Sequence, residues 1–166
     1  LRKMHVISFV QKLKEKFTAA LMREFELKDN ITISLTSIQW VEDEKSETEL
    51  ITKAFYEKKG NKNIISYEDT EATGFDGSVT TIEAEESKMA SIIRKGTANS
   101  VINLEMGKKH FCQYETPFGA LQIGVYTKAI DNSLDTDGKL YLKYALDMNS
   151  VFVSDNEIIL KIQNYN

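Results

Sequence analysis

Apolar and polar residues alternate with a period of two along much of this chain. Leu121, Ile123 and Val125 take turns with Gln122, Gly124 and Tyr126, and Ile31, Ile33 and Leu35 with Thr32, Ser34 and Thr36. Leu140, Leu142, Tyr144, Leu146 and Met148 repeat the pattern most cleanly. Successive strand side chains point to opposite faces, so this period predicts strands with one buried side. Further short runs stand at residues 50–57, 63–68, 78–85, 89–94, 100–106 and 157–163. Turn signals separate them: Lys58-Lys59-Gly60-Asn61, Thr73-Gly74-Phe75-Asp76-Gly77, Lys95-Gly96, Gly107 and Asp135-Thr136-Asp137-Gly138. Residues 42–47 read as an acidic connection.

The stretch that organises the rest is Thr116-Pro117-Phe118-Gly119, which holds the only proline. Proline sets φ and glycine permits φ > 0, so the chain reverses here between two strands. About ten strand-like runs with no long helix between them predict an all-β antiparallel barrel or sandwich, and exclude a parallel α/β sheet. The expected interior positions are Leu121, Ile123, Val125, Leu140, Leu142, Leu146, Ile158, Leu160 and Ile162.

Only residues 4–25 follow a helical period. Val6, Phe9, Val10, Leu13, Phe17, Ala20 and Leu21 fall within an arc of roughly 120°. The division expected is an N-terminal amphipathic helix over residues 1–27 and a barrel domain over 28–166. The helix is expected to pack on the barrel, or to join a second copy through Val6, Phe9, Leu13 and Phe17. A membrane-surface helix is the weaker alternative. Met22 is also a candidate start for a shorter protein without this helix.

Composition narrows the class. A chain of 166 residues with 42% hydrophobic and 28% charged residues suits one soluble domain. The single Cys112 makes no internal disulfide and is expected to be reduced, in a cytoplasmic protein. No run approaches the ~20 apolar residues of a membrane span. Lys12, Lys14 and Lys16 interrupt any signal-peptide core, so the chain reads as unexported. The net charge of −4 is uneven: residues 1–27 carry three more basic than acidic groups, which leaves −7 for the remainder. An acidic body repels phosphate backbones, so no nucleic-acid partner is expected.

Candidate chemistry is sparse. His110 and Cys112 share a strand face, but two ligands do not make a zinc site, and His5 lies in the helix. Residues 133–138 imitate the front of a calcium loop, yet Tyr144 stands where a bidentate glutamate is needed. Gly119 and Gly124 have P-loop spacing without its lysine. Glu83, Glu85, Glu86, Asp131 and Asp135 read as solvated carboxylates. His110 and Cys112 side chains would lie about 7 Å apart on a strand, too far for a nucleophile and its base. The chain is therefore expected to be no enzyme, with no metal or cofactor.

The order Ile92-Ile93-Arg94-Lys95-Gly96, Asn103-Leu104-Glu105-Met106-Gly107, Tyr114-Glu115-Thr116-Pro117-Phe118-Gly119 and Gly124-Val125-Tyr126-Thr127 resembles the YwiB-like family of small bacterial β-barrel domains. The resemblance covers about residues 29–163 and is most specific at 92–148. It implies a calycin-like barrel of about 8–10 strands, related in shape to lipocalins, with no catalytic residues to carry over. The expected function is binding of a small, partly apolar ligand in the barrel. The alternative is an interaction or structural protein with a packed core, engaging its partner through its surface or the helix. The candidate ligand residues are Arg94, Tyr114 and Thr127. Thr127 shares parity with Leu121, Ile123 and Val125. Arg94 is open between an outward position and an inward one that would need a carboxylate or ligand anion.

Overall fold

The alternating runs pair into one antiparallel sheet of ten strands that curls into a nearly closed barrel. This computed structural model describes residues 11–16, 29–116 and 118–166, except for the side chains of residues 113–116. The first meander comprises β1 (Ile31–Val41), β2 (Glu44–Lys59), β3 (Lys62–Glu68), β4 (Ser78–Glu85), β5 (Met89–Gly96) and β6 (Ser100–Glu105). The second comprises β7 (Lys109–Thr116), β8 (Gly119–Ser133), β9 (Lys139–Met148) and β10 (Val151–Tyr165). The strand order is β6-β5-β4-β3-β2-β1-β10-β9-β8-β7. Sequence neighbours pair everywhere except at β6 and β7, where the described residues form no ladder. β1 and β10 join the two meanders.

Alternating strand directions put the connections at alternate ends. One end carries residues 42–43, 69–77, 97–99 and 149–150, with a 3-10 turn at Glu71–Thr73. The opposite end carries 60–61, 86–88, 106–108 and 134–138. A polar cluster centred on the buried Asn63 sits at that opposite end. Asn63 Nδ2 donates to the Tyr56 hydroxyl at 2.9 Å and to Asp135 Oδ1 at 2.8 Å, and its carbonyl accepts from Asn132 at 3.0 Å. Lys58 pairs with Asp135 and, with Asn63, holds its carboxyl below the usual range.

The interior follows the predicted parity. Ile31, Ile33, Ile65, Ile82, Leu104, Leu140, Leu142 and Leu160 are fully buried. Each such side chain contributes about 1.5–3 kcal/mol by leaving water. Of the expected interior set, Val125, Leu140, Leu142, Ile158 and Leu160 are buried. Leu121, Ile123, Leu146 and Ile162 are half-buried, the last three packed on the core. A bulge between Thr127 and Ala129 leaves Lys128 exposed and brings Ile130, rather than Ala129, to the buried side.

Two expectations need correction. The acidic connection is only a two-residue turn, because β2 already begins at Glu44. Residues 44–54 pair with β1, while only Phe55–Lys59 of β2 pairs with β3. Among the described residues the first part of β2 is thus an edge, and its Glu44, Lys45, Glu47, Glu49 and Lys53 are the charges that keep an edge from pairing with other sheets. β10 also starts earlier than expected, at Val151. Its bulge between Phe152 and Ser154, and the inward Ser154 and Asn156, break the apolar alternation there.

Residues 11–16 are helical and exposed, with Leu13 51% accessible. Leu13 therefore does not bury against the barrel. Val6, Phe9 and Phe17, expected on the same stripe, lie outside the described residues.

Candidate functional site

β5 resolves the orientation that periodicity left open. Ala90 and Ile92 are buried, and Arg94 follows on the same face with its side chain 17% exposed. Register places it opposite Thr80 of β4, which is fully buried. Asp69 ends the β3 side of the same wall, its N–H donating to Ser78 O at 2.9 Å and its side chain wholly enclosed.

These three side chains form one network. Arg94 Nε donates to Thr80 Oγ1 at 3.0 Å and to Asp69 Oδ2 at 3.3 Å. The Thr80 hydroxyl donates to Asp69 Oδ2 at 2.5 Å, and the Thr73 hydroxyl reaches Oδ1 at 3.0 Å. A carboxylate and a guanidinium can stay inside only when paired and hydrogen-bonded in this way. Phe75 stacks on the guanidinium, its ring centre 3.6 Å from Cζ. Among the described residues, the two terminal nitrogens of Arg94 have no hydrogen-bond partner.

Two connections brace this end. The Ser78 hydroxyl accepts from Ala98 N–H at 2.9 Å and lies 2.9 Å from the Thr97 hydroxyl. Gly96 sits at φ +134°, where a Cβ would stand 2.4 Å from Gly77 O. Glycine is needed there because the two connections touch.

Where β2 parts from β3, the 69–77 connection spans the gap and leaves a cavity of about 90 Å³. Arg94 lines it together with Leu35, Leu50, Phe75, Ile92 and Ile158. Burial pushes the neighbouring Tyr67 phenol far above its usual range, with Asp69 adding to the rise and Arg94 opposing it. Tyr144 is pushed up to about 12, again by burial and against Arg94.

The other candidate residues lie elsewhere. Thr127 does face the interior, but its hydroxyl accepts from Glu105 N–H at 3.0 Å and its own N–H donates to Lys108 O at 3.3 Å. It pins the unladdered seam near the 106–108 turn, at the far end from Arg94, and the two do not meet. The Tyr114 backbone stands opposite Leu121, and its side chain lies outside the described residues. His110 Nε2 is 2.9 Å from Glu105 Oε2 and makes no bond to Cys112. Burial pushes the Cys112 thiol up, away from the reactive thiolate. No cluster of three or more metal-ligating side chains occurs among the described residues, and none of their helices is long and apolar enough to cross a membrane.

Sequence reading missed Asp69, Thr80 and Phe75. Thr80 had a signal, a hydroxyl on the inward parity of Ile82 and Ala84. Phe75 had a weaker one, a large aromatic inside a turn.

Residues 33–160, from β1 into β10, match the family described as Domain of unknown function (DUF1934). The chain belongs to this family. The DUF1934 span contains the whole Arg94 network. The crystal structure of ywiB protein from Bacillus subtilis is similar to this chain with a TM-score of 0.63, covering 82% of this chain and 93% of that one. The two are 23% identical, so the likeness is one of fold. The YwiB-like resemblance read from residues 92–148 therefore holds. Among curated proteins none matches this DUF1934 chain.

Proposed function

We propose that this barrel, calycin-like in architecture and cytoplasmic, is a non-catalytic binding protein for a small, partly apolar ligand. The observation that carries the reading is the inward Arg94, fixed by Asp69, Thr80 and Phe75 yet with its outer two nitrogens unpartnered among the described residues, beside a cavity. A few convergent polar groups in an apolar wall are the usual make-up of a small-molecule site. At about 90 Å³ the cavity is well below the ~300–1,000 Å³ of sites that engulf a drug-sized ligand. Only the polar end of a ligand enters, and the remainder leaves through the mouth beside Phe75. Binding rather than turnover is favoured because Asp69 is enclosed by three donors and Tyr67 is held protonated, so neither serves as a base.

Native mass spectrometry of protein purified without denaturation tests this. A retained small molecule that is lost in Arg94→Leu is the expected result. Absence of any retained mass, together with no binding to the cavity, would favour the alternative of a surface-acting interaction protein. That second reading draws on the packed barrel centre and on the exposed Ile51, Val151 and Phe152.

A further inference from the structure

We infer that the ligand is a monocarboxylate with a short apolar tail, its carboxylate held by the terminal nitrogens of Arg94. This inference rests on the binding reading above and adds the chemical class. The Nε edge of the guanidinium is already occupied by Thr80 and Asp69, and its face is covered by Phe75. What remains is the edge between the two terminal nitrogens. Its parallel N–H groups match the two oxygens of a carboxylate.

Charge selects the monoanion. Among the described residues Arg94 is the only cation lining the cavity, and the enclosed Asp69 carboxylate stands 3.3 Å from its Nε. One negative charge on the ligand meets a guanidinium held in place for it. A second, as on a phosphate dianion, would face Asp69 with no further cation to offset it, in surroundings that screen poorly.

The rest of the wall matches the same molecule. Ser37 and Thr48 stand opposite each other across β1 and β2 and both line the cavity. Neither hydroxyl has a hydrogen-bond partner among the described residues, so both are open to the lone pairs that Arg94 leaves. Leu35, Leu50, Ile92 and Ile158 provide an apolar floor for the first carbons of a tail. The small volume keeps that tail short inside and sends any longer one toward the mouth.

The test is isothermal titration of the full chain with sodium butanoate, its uncharged analogue butanamide, inorganic phosphate and sulfate, at matched ionic strength and neutral pH. Butanoate is expected to bind at least about tenfold more tightly than each of the other three. Arg94→Lys keeps the charge without the fork and should weaken butanoate about tenfold. Leu50→Trp fills the cavity from the β2 wall while leaving Arg94, Asp69 and Thr80 themselves unchanged, and should abolish binding, which guards against an Arg94 variant that misfolds. Preference for phosphate or sulfate, or equal binding of butanoate and butanamide, overturns the carboxylate class while leaving a binding protein. If no probe binds but a retained molecule without a carboxylate is found by mass, the class also falls and the binding reading stands. If nothing binds and nothing is retained, both fall.

Discussion

Lys109 and Asp147 form an ion pair across β8, the strand that separates theirs, and they meet directly above Gly124. A Cβ at Gly124 would lie 2.5 Å from Lys109 Cε and 2.6 Å from the Asp147 carboxylate. The outer face of β8 is therefore bare at one position so that two charges can close over it.

This relationship separates two glycines that look alike in sequence. Gly124→Ala would push aside only the flexible ends of a partly exposed pair, a pair worth about 0–1 kcal/mol. Unfolding in urea should show a change within about 1 kcal/mol. Gly96→Ala meets backbone atoms, Gly77 O and Ser78 Cα, at a φ that side chains avoid. Its loss should exceed the ~1–3 kcal/mol of backbone strain alone.

Asp69→Ala should cost about 2–4 kcal/mol, at the low side of a broken buried pair because Arg94 keeps some contact with water. Asp69→Asn, which still accepts from Thr80, should cost less. Denaturant midpoints at neutral pH order the two, and an equal loss would show that the charge does not matter there.

Leu142 is fully enclosed, so Leu142→Ala should cost about 2–5 kcal/mol. Ile51→Ala, at a side chain 74% exposed, should stay within about 0.5 kcal/mol. A loss under about 0.5 kcal/mol at Leu142 would mean that the inner face has been assigned to the wrong parity.

Alkali should act through two buried phenols. Tyr67 and Tyr144 have folded-state pKa values raised above the ~10 of an unfolded tyrosine, Tyr144 to about 12. Their protonated forms favour the fold, so this stability is complete below pH ~10 and is lost as pH rises through the folded values. Absorbance titration should show tyrosinate forming late at these two positions, with unfolding at the same pH. Early titration of all seven tyrosines in a folded protein would contradict it.

Self-association is expected through the N-terminal stripe, since Leu13 is exposed on an exposed helical segment and isolated helices of this length are marginal. Leu13→Asp should lower the sedimenting mass of the full chain. An unchanged mass would remove the helix from any interface.

Legibility followed burial. β1, β4, β8 and β9 alternate because one face of each is core and the other meets water, and a period of two records that directly. The first part of β2 was hidden because an edge strand protects itself with charge, and Glu44 to Glu49 therefore resemble a loop. The start of β10 was hidden by a bulge and by inward Ser154 and Asn156. At the site, Arg94 was identified, but its direction was not, because both faces of β5 are similarly apolar. Asp69 could not be found at all. It comes from a connection 25 residues upstream, and no local pattern reports a contact made through a turn.

The pairing of β1 with β10 has a consequence for how the chain is made. Among the described residues every other ladder joins strands adjacent in sequence, and each can zip up as its hairpin emerges from the ribosome. β1 must wait, because Ile33 pairs with Ile162 and Leu35 with Leu160. Throughout synthesis of the intervening strands, a strand of Ile31, Ile33 and Leu35 carries an open edge and a half-covered apolar face. Such a nascent intermediate is prone to aggregate, and the distant pairing makes its closure slow. A stalled or truncated chain lacking β10 should depend on chaperones and be cleared by proteases, even though nine of its ten strands are present.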